Sequence, residues 1–144
     1  MQLPFDLLLT RILVSIGLGA LIGVEREIRN SPAGLRTISL VALGSTLFTL
    51  ASLEFAGPGA DISRIASQIV VGIGFLGAGV IFKANDQVHG LTTAASLWVT
   101  AALGLFVGLG EYQLSFMVAI AVLIILWFGH LEKKLLPHEK LPKK

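Results

Sequence analysis

Residues 65–82 read Ile65-Ala66-Ser67-Gln68-Ile69-Val70-Val71-Gly72-Ile73-Gly74-Phe75-Leu76-Gly77-Ala78-Gly79-Val80-Ile81-Phe82. Gly72, Gly74 and Gly77 spell G-x-G-x-x-G, which would make the chain an α/β dinucleotide binder if it opened a helix after a strand. The flanks reject that reading, because no strand–turn–helix unit surrounds it and no acidic residue follows about 20 positions on. What the stretch does offer is an uninterrupted uncharged run, close to the ~20 residues that cross about 30 Å of hydrocarbon as a helix. A strand would leave its backbone groups unpaired in lipid, so helix is the conformation expected there. The segment therefore points to an all-α membrane protein.

Working outward, four more apolar stretches appear, at 5–24, 37–53, 91–109 and 112–130. Asn30-Ser31-Pro32-Ala33-Gly34, Gly57-Pro58-Gly59 and Asn85-Asp86 separate the first four. Gly108, Gly110 and Glu111 make a very tight fourth turn, so the last two stretches could instead form one re-entrant hairpin. The expected architecture is a polytopic bundle of about five transmembrane helices. The first stretch reads as a retained span, since no Lys or Arg precedes it as in a signal peptide.

Composition agrees. Of 144 residues, 54% are apolar and 14% are charged, and the mean hydropathy is +0.83. A soluble domain carries roughly 25% charged residues. There is no cysteine, which excludes disulfides, thiol catalysis and thiolate metal sites. The net charge of +2 comes from a basic end rather than a basic face, so no nucleic-acid partner is expected. No convergent Ser/His/Asp group and no paired carboxylates in an apolar setting can be assembled, so neither an enzyme nor a cofactor is expected.

Lys and Arg set the orientation. Arg26, Arg29, Arg36, Lys83, Lys133, Lys134, Lys140, Lys143 and Lys144 fall on one side, and only Arg11 and Arg64 on the other. The positive-inside rule then places the N-terminus outside and the C-terminus in the cytoplasm. Residues 1–130 form the transmembrane domain, and 131–144 a basic cytoplasmic tail that lies against anionic headgroups. Asp6, Glu54, Asp61 and Glu111 make the outer side acidic. That surface is the normal acidic half of such a topology, although hard divalent cations also favour oxygen ligands.

Lipid gives helices no hydrophobic reason to associate, so small residues and hydroxyls must hold them. Gly19 and Gly23 on the first helix, and Gly104 and Gly108 on the fourth, are small-xxx-small pairs. Gly72, Gly74, Gly77 and Gly79 mark the third helix as the expected centre of packing, with a kink or break as the minority alternative. Ser45, Thr49 and Ser52 line one face of the second helix. Thr92, Thr93, Ser96 and Thr100 put hydroxyls on the fourth, for helix–helix hydrogen bonding or, less favoured, a conduction path.

The cytoplasmic edge carries the candidate functional residues: Glu25, Arg26, Glu27, Arg36 and Thr37 around the first connection, Asp86 and His89 in the third. Glu25 and Arg29 are four apart and share a helix face. Arg36 could meet Glu25 or Glu27 across the hairpin. The alternative is a solvated loop that only sets orientation.

Four segments, in order and correctly spaced over roughly residues 7 to 128, resemble the MgtC/SapB family. They are Gly19-Ala20-Leu21-Ile22-Gly23-Val24-Glu25-Arg26-Glu27, Ala33-Gly34-Leu35-Arg36-Thr37, the glycine run 72–82, and Gly90-Leu91-Thr92-Thr93-Ala94-Ala95-Ser96-Leu97-Trp98. The resemblance implies a bacterial inner-membrane protein that supports growth at low magnesium. It implies action through other membrane machinery, notably the F-type ATP synthase, rather than carriage of the ion. Three positions depart from the virulence subgroup: Ala84 stands for Glu, Thr92 for Asn and Val99 for Cys. The resemblance is to a short SapB-like branch, without that subgroup's C-terminal soluble domain.

Two functions are therefore weighed. The favoured one is a regulator that acts through its helix faces and charged edge, with the lipid bilayer, a homodimer or other homo-oligomer, and another membrane protein complex as partners. The alternative is a small oligomeric cation or solute transporter or channel. No ionisable residue lies at the middle of any span, where ion sites usually sit.

Overall fold

The computed structural model describes residues 3–55, 61, 63–84 and 86–135. Gly57-Pro58-Gly59, Asn85 and the tail beyond 135 lie outside the described residues. Five helices follow one another: α1 (Phe5–Ile28), α2 (Leu35–Glu54), α3 (Ser63–Val80), α4 (Leu91–Leu109) and α5 (Tyr112–Leu135). Each is long and apolar enough to cross a bilayer. That includes α4 and α5 separately, so a single re-entrant hairpin is not needed. Gly110, at φ 91°, turns the chain between them. The Gly110 and Glu111 N–H groups donate to the Val107 and Phe106 carbonyls, at 3.0 and 2.9 Å. This closes α4 with a Schellman motif, whose left-handed position only glycine takes without strain.

The structure moves some boundaries. α1 runs on to Ile28, so Glu25, Arg26 and Glu27 form its last turns rather than a connection. α2 starts at Leu35, which places Arg36 and Thr37 inside its first turn. The third connection is an antiparallel hairpin, β1 (Phe82–Ala84) and β2 (Gln87–His89), with Phe82 opposite His89. Strands of three residues are too short to leave a periodic signature in sequence, and Phe82 was expected to end the third span.

The interior mixes hydroxyls with an apolar cluster that includes Leu18, Ile22, Ile38, Leu97, Leu103 and Val107, and the exterior is apolar. Ser15, Ser45, Thr46, Thr49, Ser52, Thr93, Ser96, Thr100 and Ser115 are buried, whereas Phe5, Phe75 and Ile125 are 79%, 81% and 68% exposed. Such a surface would aggregate in water and belongs in lipid. Half of the α4 span is buried within the chain, against 11% of the α3 span. α4 is therefore central and α3 peripheral.

The centre of packing lies with the glycines of α1 and α4, not those of α3. A Cβ at Gly19 would stand 2.9 Å from the Ala42 Cβ, and one at Gly23 2.8 Å from the Leu35 Cα. At Gly108 a Cβ would stand 2.5 Å from the Thr49 Cβ. Backbones of α1 and α4 thus press directly on α2. By contrast, a Cβ at Gly72, Gly74 or Gly79 meets nothing within 4 Å, and only Gly77 touches a neighbour, the Ala94 Cβ at 3.6 Å. At 100° per residue, Gly72 and Gly79 point one way and Gly74 and Gly77 another, so the four never shared a face. α3 is continuous through all of them.

Hydroxyls complete the central contact. Thr46 Oγ1 donates to the Gly104 carbonyl at 2.8 Å and shares a hydrogen bond with Ser15 Oγ at 2.9 Å. One side chain on α2 therefore ties α1 to α4.

Candidate functional site

Where α1 ends, the helix presents a carboxylate between two guanidinium groups. Arg26 is turned inward, its side chain 9% exposed, and both its Nε and one terminal nitrogen lie 2.5 Å from Glu25 Oε2. Arg29 Nε reaches Glu25 Oε1 at 3.5 Å, the i,i+4 pairing that the spacing favours. Neighbours in sequence do not normally face one another on a helix. Arg26 points into the bundle and Glu25 bends after it.

Glu27 does something the sequence reading missed. The N-cap position of α2 is Gly34, which has no side chain to cap the helix. The Glu27 carboxylate supplies the missing acceptor, taking a hydrogen bond from the Leu35 N–H at 2.9 Å. It also places a negative charge at the positive end of the α2 dipole. Gly34 is needed for this, since a Cβ there would collide with Glu27 Oε2. Arg36 was expected to meet Glu25 or Glu27. It is exposed and makes no ion pair among the described residues, because the backbone of Leu35 takes the Glu27 carboxylate instead.

The rest of the first connection turns toward α4. Ser31 Oγ lies 2.9 Å from Thr93 Oγ1, and the Ser31 N–H donates to the Arg26 carbonyl at 3.0 Å. Thr93 is thus joined to this edge. Ser96 is buried and donates to the Thr92 carbonyl at 2.8 Å, while Thr92 itself is exposed. Asp86 and His89 sit on the hairpin, where Lys83 Nζ pairs with Asp86 Oδ1 at 3.0 Å and the His89 ring stacks on Phe82 at 5.3 Å. Among the described residues no three His, Asp or Glu side chains are grouped to hold a metal ion.

A second feature runs down the side of the bundle. α2 and α3 stand apart and leave a groove of about 1220 Å³. Thr37 lies at one end, Phe55, Asp61 and Arg64 at the other, and Ser45, Gln68 and Gly72 between them. From Thr37 to Phe55 the groove extends about 27 Å along the α2 axis, close to the hydrocarbon thickness. At its far end the Asp61 carboxylate accepts from Ser63 Oγ at 2.6 Å and from the Ser63 N–H at 2.9 Å. These bonds, with help from Arg64, hold the Asp61 carboxyl below its ordinary pKa. The glycine helix contributes only Gly72 of its four glycines to this wall.

Arg11 is the other residue that sequence reading undervalued. Placed only as an outer charge, it sends Nη1 to the Gly108 carbonyl at 2.6 Å. A cation there offsets the negative end of the α4 dipole. An Arg at the start of one span and a Gly-rich turn after another were the available signal, but nothing in the chain order connects them.

The sequence profile of the MgtC family matches residues 12–134. The "Putative magnesium transporter YhiD" of Escherichia coli K12 is 43% identical over 132 residues, covering 87% of this chain and 61% of that protein. Protein MgtC of Salmonella typhimurium strain 14028s is 48% identical over 114 residues, covering 78% of this chain and 48% of the relative. Protein MgtC of Brucella abortus is 53% identical over 93 residues, covering 65% and 39%. The chain thus spans about two fifths to three fifths of the length of these relatives. No solved structure matches it.

Proposed function

The chain belongs to the MgtC family, and from that premise we propose that it is a bacterial inner-membrane protein that regulates adaptation to low magnesium by contacting other membrane proteins. The observation that carries this is the uncovered face of α3. Gly74 has nothing within 4 Å of a Cβ, and its neighbours one turn back on that face, Val70 and Val71, are 50% and 65% exposed. A small residue beside larger apolar ones is the kind of surface on which a second membrane helix can pack. A homodimer or another membrane complex fits such a face. The orientation that goes with this reading is N-out and C-in, with residues 131–144 as a basic tail at the cytoplasmic surface. The pinned edge of Glu25, Arg26, Glu27 and Thr93 then faces the cytoplasm. We assign the protein no catalytic role.

Transport is the second reading. It is favoured by the groove between α2 and α3, in which Ser45, Ser52 and Gln68 offer oxygen ligands along an apolar wall, and by the name given to the Escherichia coli relative. Magnesium flux into liposomes holding the purified protein separates the two. The regulator reading expects uptake no greater than in empty liposomes, together with loss of low-magnesium growth support in Gly74→Leu. Robust uptake that Gly72→Leu, a change in the groove wall, abolishes would sink it.

A further inference from the structure

The groove between α2 and α3 has a chemistry that neither reading uses. Its walls are apolar, but Asp61 and Arg64 stand together at one end, opposite in sign and both exposed. Arg64 makes no ion pair among the described residues, so its guanidinium is available at the N-terminal end of the α3 span. The Asp61 carboxylate is fixed by Ser63 and held in its charged form. An anion and a cation held side by side above an apolar slot complement a molecule with both charges at one end and a hydrocarbon body.

We propose that this groove binds a zwitterionic phospholipid of the phosphatidylethanolamine type, its phosphate on Arg64, its ammonium on Asp61 and its acyl chains along α2 and α3. An anionic lipid would satisfy Arg64 but meet Asp61 with like charge. A choline lipid has no N–H to donate to the carboxylate. A partner helix is a poorer fit, because helices close on small residues and here Phe48 and Phe55, 59% and 75% exposed, stand along the wall. Flexible chains can pass around such rings. Gly72 deepens the middle of the slot, with open space where a side chain would be. The proposal holds for either orientation of the chain, and it is independent of what packs on the outward face of α3.

Native mass spectrometry of the purified protein in mild detergent tests this, with palmitoyl-oleoyl phosphatidylethanolamine, phosphatidylglycerol and phosphatidylcholine added at equal concentration. The expected result is one tightly held phosphatidylethanolamine per chain, favoured about fivefold over the other two, the scale of one partly exposed ion pair. Arg64→Gln and Asp61→Asn should each remove the preference; Asn can still accept from Ser63, so the start of α3 is kept. Gly72→Leu should lose the bound lipid while helicity and thermal midpoint stay unchanged. Equal binding of the three lipids by the unaltered protein would overturn the proposal. So would a preference for phosphatidylglycerol, or a phosphatidylethanolamine preference that survives both charge changes.

Discussion

The Thr46 hydroxyl on α2 lies 2.8 Å from the carbonyl oxygen of Gly104 on α4, and Ser15 of α1 shares the same hydroxyl. Three helices therefore meet at one buried oxygen. Thr46→Val keeps the shape and removes the hydrogen bonds. It should lower stability in detergent by about 1 kcal/mol, the scale of an interhelical hydrogen bond in a membrane protein. Thermal unfolding checks this, and Thr46→Ser should restore most of the loss.

The Glu27 cap on α2 gives a second expectation. Glu27→Ala leaves the Leu35 N–H without its acceptor and should cost about 1 kcal/mol, as loss of a helix cap does. Glu27→Gln keeps an acceptor and should cost less. Gly34→Ala should resemble Glu27→Ala, because its Cβ occupies the place of the carboxylate. Equal stability of all three variants would show that the cap contributes nothing.

Glycines on different helices should respond in opposite ways. Gly108→Leu drives a side chain into Thr49, and overpacking of this kind costs about 1–3 kcal/mol or more. Gly74→Leu enters open space and should leave the thermal midpoint unchanged, while disturbing whatever packs on that face. Crosslinking in native membrane reads the second effect.

At the charged edge, the geometry ranks Arg26 above Arg36. Arg26 is inward and paired with Glu25, whereas Arg36 is exposed without an ion pair among the described residues. Arg26 is buried and Glu25 partly exposed, so splitting the pair should cost up to about 3 kcal/mol, the scale of a buried pair, and Glu25→Ala and Arg26→Ala should both lower yield and melting temperature. Arg36→Ala should leave both unchanged. If it nevertheless abolishes low-magnesium growth, Arg36 acts on a partner rather than on the fold.

Orientation can be read directly. Single cysteines placed at Asp86 and Glu54 should differ in labelling by a membrane-impermeant maleimide added to intact cells. Glu54→Cys should react and Asp86→Cys should not, if the N-terminus is outside.

The helices were legible because hydropathy accumulates over some twenty residues and tolerates local error. Their ends were less so. Glu25–Glu27 read as a loop because charge was taken to end a span, yet a helix can leave the hydrocarbon and continue for a turn at little cost. The hairpin at 82–89 was invisible since strands of three residues carry no period. The small-residue pairs of α1 and α4 pack as expected, but the glycine run of α3 was misjudged, for a different reason. Gly23 and Gly74 look alike in sequence, and only the arrangement of neighbouring helices decides which one is covered. The caps by Glu27 and Arg11 could not be seen, because the first crosses the turn between two helices and the second acts on a backbone group far along the chain.

The bond from Arg11 to the Gly108 carbonyl spans 97 positions, and this bears on how the protein is made. At about 5–20 residues per second, the ribosome needs roughly 5–20 s to supply the acceptor after Arg11 has emerged. For that interval the first helix carries a guanidinium whose eventual partner does not yet exist. It must wait near water, in the insertion machinery or at the headgroups, before it can seat. The first helix can pack on the second through Gly19 and Gly23 as soon as both are made, but the seating of its Arg11 side chain has to follow the arrival of the fourth.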